Sequence, residues 1–277
     1  MTPAGWEPIV VDDLDDPRVD GYRHLTDMDL RLKQEADGGH FMAEGMLVIE
    51  RAARLSLDIR SVLTAPKWLD RLAVILATWS GPVYITDDAQ AITGYRVHRG
   101  ALALVRRPKP REVAEFVASE GDLLLLEDLV DHTNVGLAFR SAAALGIAGV
   151  VLSPGCADPL YRRAVKVSMG AVLALPWARS HDWAADLRAI ARDRRLIGLT
   201  PDDRAPTLER ALGDASRPSS ALLLGTEGAG LSALACAQAG SLARIPMEAG
   251  IDSLNVAAAT AVACYALRMS RERGGAA

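Results

Sequence analysis

The feature that most constrains the fold is a series of short apolar runs in the second half of the chain. These runs occupy residues 122–126, 150–152, 196–199 and 221–224. Short continuous runs of Leu, Val and Ile are typical of strands that are buried on both faces of a parallel sheet. The runs therefore predict the central sheet of an α/β domain.

Segments with helical spacing separate these runs. Leu137 to Leu145 is predicted to be a helix that ends at Gly146, a residue suited to the C-cap. Further helices are predicted around Trp183 to Arg192 and from Leu254 to Leu267. Alternating strands and helices favour a parallel sheet flanked by helices.

The first half of the chain repeats the alternation on a smaller scale. Met42 to Arg54 has helical spacing of apolar residues, and Pro66 opens a second predicted helix through Leu76. Strands are predicted at Ile59 to Leu63, Val83 to Thr86 and Gly100 to Val105. A small second α/β domain is the expected result.

A basic, proline-containing stretch marks the boundary between the two halves. Residues 106–111 read RRPKPR, and two prolines among charged residues do not continue a helix or a central strand. We therefore predict a substrate-binding domain at residues 1–107 with a flexible acidic lead-in, a linker at 108–116, and a second domain at 117–277.

The charge balance limits the range of partners. The formal net charge is -4, whereas a nucleic-acid-binding chain usually has a basic footprint, so any such patch must be local. No signal peptide is expected, and the apolar stretch from Leu254 to Leu267 is too short to cross a bilayer.

The cysteines argue against a disulfide framework or a zinc site. Cys156, Cys236 and Cys264 lie far apart and form no CxxC pair. We expect reduced, mostly buried thiols in a cytoplasmic protein without a metal centre.

The first segment able to carry chemistry runs from Asn134 to Arg140. Asn134 is suited to cap the helix there, and Gly136 allows close backbone approach. On the buried side of this apolar helix, Arg140 would need a counter-charge such as Glu127 or Glu227, or an anionic ligand. The alternative is a solvent-facing Arg140 with Asn134 acting only as a cap.

A glycine-rich loop follows the run at 221–224. Residues 225–230 read GTEGAG, a GxxGxG spacing that differs from the dinucleotide pattern GxGxxG and lacks the lysine of a P-loop. Glu227 would repel a phosphate. The loop therefore suits a neutral or cationic ligand that lies against bare backbone.

The third segment covers residues 245–257. A short strand is predicted to run into Pro246, and a long Ala-rich helix to begin near Ser253, with Ser253 or Asp252 as its N-cap. Asn255, in the first turn of this helix, must face solvent or hold a specific partner. The helix is apolar on nearly every side, which predicts burial against its own domain and against a second subunit.

Taken in this order, the three segments resemble the motifs of the SpoU branch of the SPOUT RNA methyltransferases. The resemblance covers roughly Leu123 to Leu267 and includes the run AVKVSMGA at 164–171. Phe41 to Gly45, entering a helix, resembles the small substrate-recruiting domain that many members carry. His132 and Thr133 stand just before Asn134 where many relatives have Asp-Pro, which changes the loop but not the motif.

The resemblance implies a fold, an activity and a cofactor. The fold is a trefoil-knotted α/β domain, a rare topology in which the C-terminal segment threads a loop to form the cofactor pocket, in an obligate homodimer through the C-terminal domain. The activity is methyl transfer from S-adenosylmethionine to an RNA 2′-hydroxyl, in ribosomal or transfer RNA, without a metal. The implied cofactor-binding residues are Gly225, Thr226, Glu227, Ile245, Met247 and Leu254.

The resemblance also implies a catalytic group. Family proposals make Arg140 the base, but guanidinium holds its proton tightly, so gripping the target phosphate and stabilising the developing alkoxide is the more conservative role. Asn255 and Ser253 would orient the ribose or the arginine. The full implied group is Asn134, Arg140, Glu227, Ser253 and Asn255, and candidates for the RNA-binding face are Arg51, Arg54, Arg60, Lys67, Arg162, Arg163 and Lys166.

Two other functions are consistent with parts of the sequence. One is a non-catalytic RNA-binding or ribosome-assembly factor with a vestigial methyltransferase domain, and the intact Asn134, Arg140, Glu227 and Asn255 argue against it. The other is a nucleotide-dependent oxidoreductase, which would need the GxGxxG loop and an acidic residue after the second strand.

Overall fold

The computed structural model describes residues 6–23, 39–95, 100–213, 218–248 and 253–274. The chain divides into two compact units. The first contains residues 1–109 together with 160–174, and the second contains residues 110–159 and 175–277. The segment 160–174 thus belongs to the first unit although it lies between two stretches of the second.

The elements alternate along the chain as the sequence predicts. The strands are β1 (Pro8–Val10), β2 (His40–Glu44), β3 (Ile59–Thr64), β4 (Val83–Ile85), β5 (Ala101–Arg106), β6 (Leu123–Leu126), β7 (Gly149–Leu152), β8 (Trp177–Arg179), β9 (Arg195–Leu199), β10 (Ser220–Leu224) and β11 (Ser241–Ala243). The α-helices are α1 (Met46–Arg54), α2 (Leu69–Ile75), α3 (Ala89–Thr93), α4 (Val113–Ala118), α5 (His132–Ala144), α6 (Arg162–Val167), α7 (Ala171–Ala174), α8 (Trp183–Asp193), α9 (Leu208–Leu212), α10 (Ala233–Gln238) and α11 (Val256–Gly274). Short 3₁₀ helices lie at Pro17–Tyr22 and Pro66–Trp68.

The first unit has a five-stranded mixed sheet in the order β1-β4-β3-β5-β2. The predicted strands β3, β4 and β5 are confirmed, but the prediction of a helix from Met42 is wrong. Met42 pairs with Leu104 in an antiparallel ladder, and Gly45, with φ 98°, separates this strand from α1. An amphipathic helix follows β2 almost immediately. The apolar residues of β2 therefore continue the helical spacing of that helix in the sequence, and the predicted helix began too early.

A buried carboxylate ties the segment 160–174 into the first unit. Glu44, at the end of β2, is only 2% exposed. Its Oε2 accepts from Arg162 at 2.9 Å and from the Tyr95 hydroxyl at 3.1 Å, and its Oε1 accepts from Lys166 Nζ at 2.5 Å. The Arg162 guanidinium also lies over the Tyr95 ring, 4.5 Å from its centroid. We call these four residues the Glu44 cluster.

The second unit is built on a six-stranded sheet in the order β11-β9-β10-β6-β7-β8, with every pairing parallel. This confirms the predicted α/β fold class with a parallel sheet. The chain lays down β6 to β8 in one direction and then places β9 to β11 on the other side of β6. The switch in direction between β6 and β10 is where a parallel sheet opens a crevice at the carboxyl ends of its strands.

The helix α5 begins earlier than the sequence predicts, at His132. Its N-cap is Asp131, whose side chain accepts from the Thr133 backbone N–H. The prediction that Asn134 caps this helix is therefore wrong, because the acidic residue three positions earlier has taken that role. The end of the helix is as predicted, with Gly146 at φ 82° just beyond Leu145.

The long last helix, α11, packs against α5. Its N-cap is Asn255, whose Oδ1 accepts from the backbone N–H groups of Ala257 at 3.0 Å and Ala258 at 3.4 Å. Ser253 precedes the helix as an exposed residue, so its prediction as N-cap is wrong, and Asp252 lies outside the described residues. The predicted strand before Pro246 ends earlier, at Ala243.

The cysteines are free thiols, as predicted. Cys156 and Cys264 are buried and Cys236 is partly exposed. Burial raises the pKa of the Cys264 thiol to about 12. Within the part of the chain that the structure describes, no helix has the length and apolar character needed to span a membrane.

Candidate functional site

A cavity of about 360 Å³ lies at the carboxyl ends of β9 and β10 in the second unit. The loop after β10, the segment after β11 and the first turn of α11 complete its wall. The lining residues are Leu199, Thr200, Pro201, Leu224, Gly225, Thr226, Glu227, Gly228, Gly230, Ile245, Met247, Ser253, Leu254, Asn255, Val256 and Ala259.

The cavity gathers all the predicted cofactor-binding residues. They come from three places that are distant in sequence, namely the loop at 225–227, the segment at 245–247 and the turn at 254. Parallel strands bring their carboxyl ends to one edge of the sheet, which explains why the loops after β10 and β11 meet there. The predicted cofactor-binding residues that line the cavity are Gly225, Thr226, Glu227, Ile245, Met247 and Leu254.

The glycine-rich loop is a closed turn that has no room for a side chain at its first residue. A Cβ on Gly225 would lie well inside van der Waals contact with the backbone of Gly230 and Leu231. The turn is closed by a hydrogen bond from the Gly230 N–H to the Thr226 carbonyl at 3.0 Å. Gly228 and Gly230 adopt φ values of 83° and 69°, which a side chain disfavours. The glycines of the loop thus present backbone to the cavity, beside the lining residues Thr226 and Glu227.

Three of the predicted catalytic residues meet in one hydrogen-bonded group. Asn255 Nδ2 donates to Glu227 Oε1 at 2.6 Å and to Asn134 Oδ1 at 3.1 Å. Asn134 Nδ2 donates to the same Glu227 oxygen at 3.1 Å. We call these residues the Glu227 cluster. Asn134 is 7% exposed, whereas Glu227 and Asn255 are exposed at the cavity.

The positions of the cluster follow from the sheet order. Asn134 lies in the first turn of α5, just after β6, and Glu227 lies in the loop after the neighbouring strand β10. Because α11 packs against α5, its N-cap residue Asn255 arrives beside both. Asn255 therefore has two roles, since its oxygen caps α11 while its amide nitrogen binds the other two side chains.

Arg140 lies elsewhere on α5. It is exposed, and within the described residues it has no ion pair or hydrogen bond. Of the two alternatives that the sequence leaves open, the structure has the solvent-facing arginine and not the buried one with Glu127 or Glu227 as counter-charge. It follows Asn134 by six positions, which places the two side chains about 120° apart around the helix axis. The buried face of α5 carries Asn134, while Arg140 projects from the open face.

Ser253, the remaining predicted catalytic residue, lines the cavity as an exposed side chain. The sequence did not single out Leu199, Thr200 and Pro201, which line the cavity at the end of β9. Their signal was positional, because β9 is the parallel neighbour of β10 and ends at the same edge.

The lining determines which ligands suit the cavity. Leu224, Ile245, Met247 and Val256 give it apolar walls, and bare glycine backbone offers N–H and carbonyl groups. Among the described lining residues there is no Lys, Arg or His, and Glu227 is the single ionisable side chain. The cavity therefore suits a flat, partly apolar ligand that is neutral or carries positive charge, and it disfavours a phosphate.

Several candidates for an RNA-binding face have partners within the first unit. Arg162 and Lys166 hold Glu44, and Arg51 donates to the Met169 carbonyl at 3.1 Å. Two more candidates form exposed ion pairs, Arg54 with Glu50 and Arg60 with Asp58.

Known proteins resemble this chain over nearly all of its length. An uncharacterized tRNA/rRNA methyltransferase of Mycobacterium bovis is 40% identical over 266 residues, which cover 95% of this chain and 92% of the relative. The 23S rRNA (guanosine(2553)-2′-O)-methyltransferase of Bacillus subtilis is 26% identical over 239 residues, covering 85% of this chain and 91% of that protein.

Solved structures agree in fold. The crystal structure of an AdoMet-bound rRNA methyltransferase from Sinorhizobium meliloti matches with a TM-score of 0.80 at 25% identity, covering 95% of this chain and 98% of that chain. The model of the SpoU rRNA methylase family matches residues 123–265, which contain β6 to β11, the cavity and the Glu227 cluster. This chain belongs to the SpoU rRNA methylase family.

Proposed function

We propose that this protein transfers a methyl group from S-adenosylmethionine to a ribose 2′-hydroxyl of ribosomal or transfer RNA. One observation carries the proposal. A cavity with a glycine-backbone wall and no cationic side chain among its described lining residues lies beside a polar cluster of Asn134, Glu227 and Asn255. The Mycobacterium bovis relative is named a tRNA/rRNA methyltransferase and the Bacillus subtilis relative a 23S rRNA 2′-O-methyltransferase. Both names support methyl transfer to RNA, and the second supports the 2′-hydroxyl as its target.

The cavity fits S-adenosylmethionine by its chemistry. The nucleoside would lie against the backbone of Gly225 and the apolar side chains of Ile245 and Leu254, where a side chain on Gly225 has no space. Glu227 is a suitable neighbour for a cation, whereas it would oppose a phosphate. When bound, the cofactor supplies a methyl group on positively charged sulfur.

The side chains of the Glu227 cluster orient the substrate. Each asparagine amide is fixed by hydrogen bonds to its neighbours, so the cluster is preorganised before the ribose arrives. Ser253, exposed at the cavity, and Asn255 would hold the ribose with its 2′-hydroxyl toward the methyl group. Arg140 would grip the adjacent phosphate and stabilise the negative charge that develops on the 2′-oxygen.

The direction in which Arg140 projects from α5 is the reason why the proposal includes a homodimer. Arg140 leaves α5 on a different face from Asn134, so it would reach a Glu227 cluster only in a second copy of the chain. The last helix supplies apolar surface for such a contact, because Val262 and Tyr265 are 41% and 55% exposed. We therefore propose a homodimer through the second unit, in which each arginine serves the partner's cluster.

Four further features belong to the same proposal. Residues 1–107 would recruit the RNA, residues 108–116 would act as the linker, and the C-terminal segment would thread a knot. The reaction would take place in the cytoplasm, where its RNA substrates are made.

Methyl transfer from labelled cofactor onto RNA from cells that lack this protein tests the reaction. The expected product is one 2′-O-methylated nucleotide, and mapping it identifies the RNA. Arg140→Ala should abolish transfer while cofactor affinity, measured by calorimetry, stays nearly unchanged. Full activity of that variant would remove Arg140 from the mechanism, and a wild-type protein that neither binds the cofactor nor methylates RNA would refute the proposed function.

A mixing experiment tests the contribution of the partner. Arg140→Ala and Asn255→Ala proteins, each inactive alone, are co-expressed with different tags and the mixed dimer is purified. If Arg140 acts across the dimer, one of the two sites in the mixed dimer has an intact Arg140 and an intact Asn255. About half of the wild-type activity should return. If both residues act within one chain, every site is defective and no activity returns.

A further inference from the structure

Glu127 lies directly after β6 and is a buried carboxylate that takes no part in the proposed reaction. Its carboxylate is 4% exposed, and it is not among the residues that line the cavity. Within the described part of the chain, no Lys, Arg or His forms an ion pair with it. A buried carboxylate without a cation is costly unless several donors satisfy it, so its contacts must be specific.

Neutral donors satisfy both carboxylate oxygens. Trp183 Nε1 and Ser232 Oγ donate to Glu127 Oε1 at 2.7 Å and 2.8 Å. The Ser232 backbone N–H donates to Glu127 Oε2 at 2.8 Å. Ser232 is also the N-cap of α10, where its Oγ accepts from the Ala235 N–H at 3.1 Å. The carboxylate thus joins the beginning of α8 to the beginning of α10.

The same residue holds both ends of the glycine-rich loop. The backbone N–H of Glu127 donates to the carbonyl of Leu224 at 2.8 Å, immediately before the loop begins at Gly225. Its carboxylate binds Ser232, just after the loop ends. The loop between these two points carries Gly225, Thr226 and Glu227, which line the cavity.

We infer that Glu127 is a positioning residue that sets the affinity for S-adenosylmethionine by fixing both ends of the loop at 225–231. This inference rests on the proposed function. A loop rich in glycine has many accessible backbone conformations, and selecting one of them costs conformational entropy. Glu127 makes that selection in the folded protein before the cofactor binds, so the cofactor binds a loop that is already ordered.

The test uses Glu127→Gln, which keeps the shape of the side chain. Glutamine has one acceptor oxygen and one NH₂ donor, so its NH₂ group would face an N–H or O–H donor of Ser232 or Trp183. We expect the Kd for S-adenosylmethionine to rise about tenfold or more, the effect of losing a hydrogen bond to a charged group. The turnover number at saturating cofactor should fall much less, because the change acts on binding.

A matched control exists at the other end of the same strand. Asp122, just before β6, is 1% exposed, accepts from the Ser220 backbone N–H at 2.6 Å and pairs with Arg271. Asp122→Asn removes a buried carboxylate that also joins β6 to β10, but at the edge away from the cavity. It should lower the thermal midpoint while cofactor affinity stays at the wild-type value.

The combined outcomes separate positioning from general stability. Weaker cofactor binding in Glu127→Gln, but not in Asp122→Asn, supports the inference. Equal loss in both variants, or no loss in either, overturns it. Should Glu127→Gln fail to fold, Ser232→Ala gives the same reading, because it removes one of the contacts and should weaken binding in the same direction. Wild-type protein that binds no cofactor would instead refute the proposed function.

Discussion

The Glu44 cluster of the first unit and the Glu227 cluster of the second are both built around a glutamate near the carboxyl end of a strand, yet they differ in charge. Arg162 and Lys166 neutralise Glu44, and its hydrogen bonds close the group on itself. Among the residues that the structure describes, Glu227 receives only amide donors, from Asn134 and Asn255, and it is exposed at a cavity.

The difference indicates what each cluster is for. A buried anion that pairs with two cations has its charge fully compensated, and the group holds chain segments together, here β2 and the helix α6. An anion that has oriented donors but no cation within the described residues retains negative potential for a ligand to use. Charge compensation together with exposure at the cavity therefore supports a structural role for Glu44 and a functional role for Glu227.

The largest effect should come from removing the charge of Glu227. In Glu227→Gln the remaining oxygen still accepts from Asn134 and Asn255, so the geometry of the cluster is retained while its charge is lost. We expect the turnover number to fall by about 10²–10³, as for the loss of one preorganised electrostatic group. Single-turnover methyl transfer measures this, and the thermal midpoint should barely move because Glu227 is exposed. Near-wild-type turnover would show that the two clusters do not differ in function.

Removing the charge of Glu44 should act on stability instead. Glu44→Gln leaves Arg162 and Lys166 without their carboxylate, and breaking a fully buried pair costs about 3–5 kcal/mol. Because these cations keep 19% and 35% of their side-chain surface exposed, we expect a loss of about 2–3 kcal/mol. Urea denaturation measures it. The control is Glu50→Gln in the exposed Glu50–Arg54 pair, which should cost less than about 0.5 kcal/mol. Loss of cofactor affinity in Glu44→Gln would contradict the comparison.

A change in the cavity wall should have a smaller effect than the change at Glu227. In Gly225→Ala the added Cβ collides with the backbone of Gly230, so the loop must shift and S-adenosylmethionine affinity should fall about tenfold. Gly240→Ala is the matched control, because its Cβ would meet only the Leu196 carbonyl at 3.6 Å. Calorimetric titration of both variants distinguishes a local effect on the wall from a general effect of adding a methyl group.

The smallest effect concerns Tyr95, which donates to Glu44. Burial, and then the charge of Glu44, raise the pKa of this phenol well above its ordinary value of 10.0. The stabilisation from the protonated phenol is complete below the pKa of the unfolded chain and is lost as the pH rises through the raised folded pKa. We expect Tyr95 to stay protonated at pH 11, which the absorbance of tyrosinate at 295 nm measures against Tyr95→Phe. Titration of Tyr95 near pH 10 would show that the cluster is open to solvent.

The parallel sheet could be predicted from the sequence because its strands are buried on both faces. Each strand is therefore a continuous apolar run, which can be recognised without knowing which strands lie beside it. The strand β2 was missed, since its pairing with β5 is antiparallel and its apolar residues run on into α1. The cofactor-lining residues were named through the family resemblance rather than through any local pattern. No spacing rule places Asn134, Glu227 and Asn255 together, because their meeting depends on the order of the strands.

The exposure of Arg140 could not be predicted from α5 alone. The helix has apolar residues on several sides, and only its packing against α11 decides which face is covered. The prediction for Asn134 was wrong, since Asp131 caps the helix instead. Both cases concern a polar residue in an apolar helix, where the burial of one side chain depends on distant segments.

The separation along the chain between Glu44 and its partners has a consequence for biosynthesis. Arg162 and Lys166 follow Glu44 by 118 and 122 residues. During translation the first sheet emerges with its acidic residue exposed, while the cations that complete it have not yet been made. We expect the amino-terminal half to wait in a partly assembled state on the ribosome until α6 emerges, so it would mature together with the catalytic half rather than ahead of it.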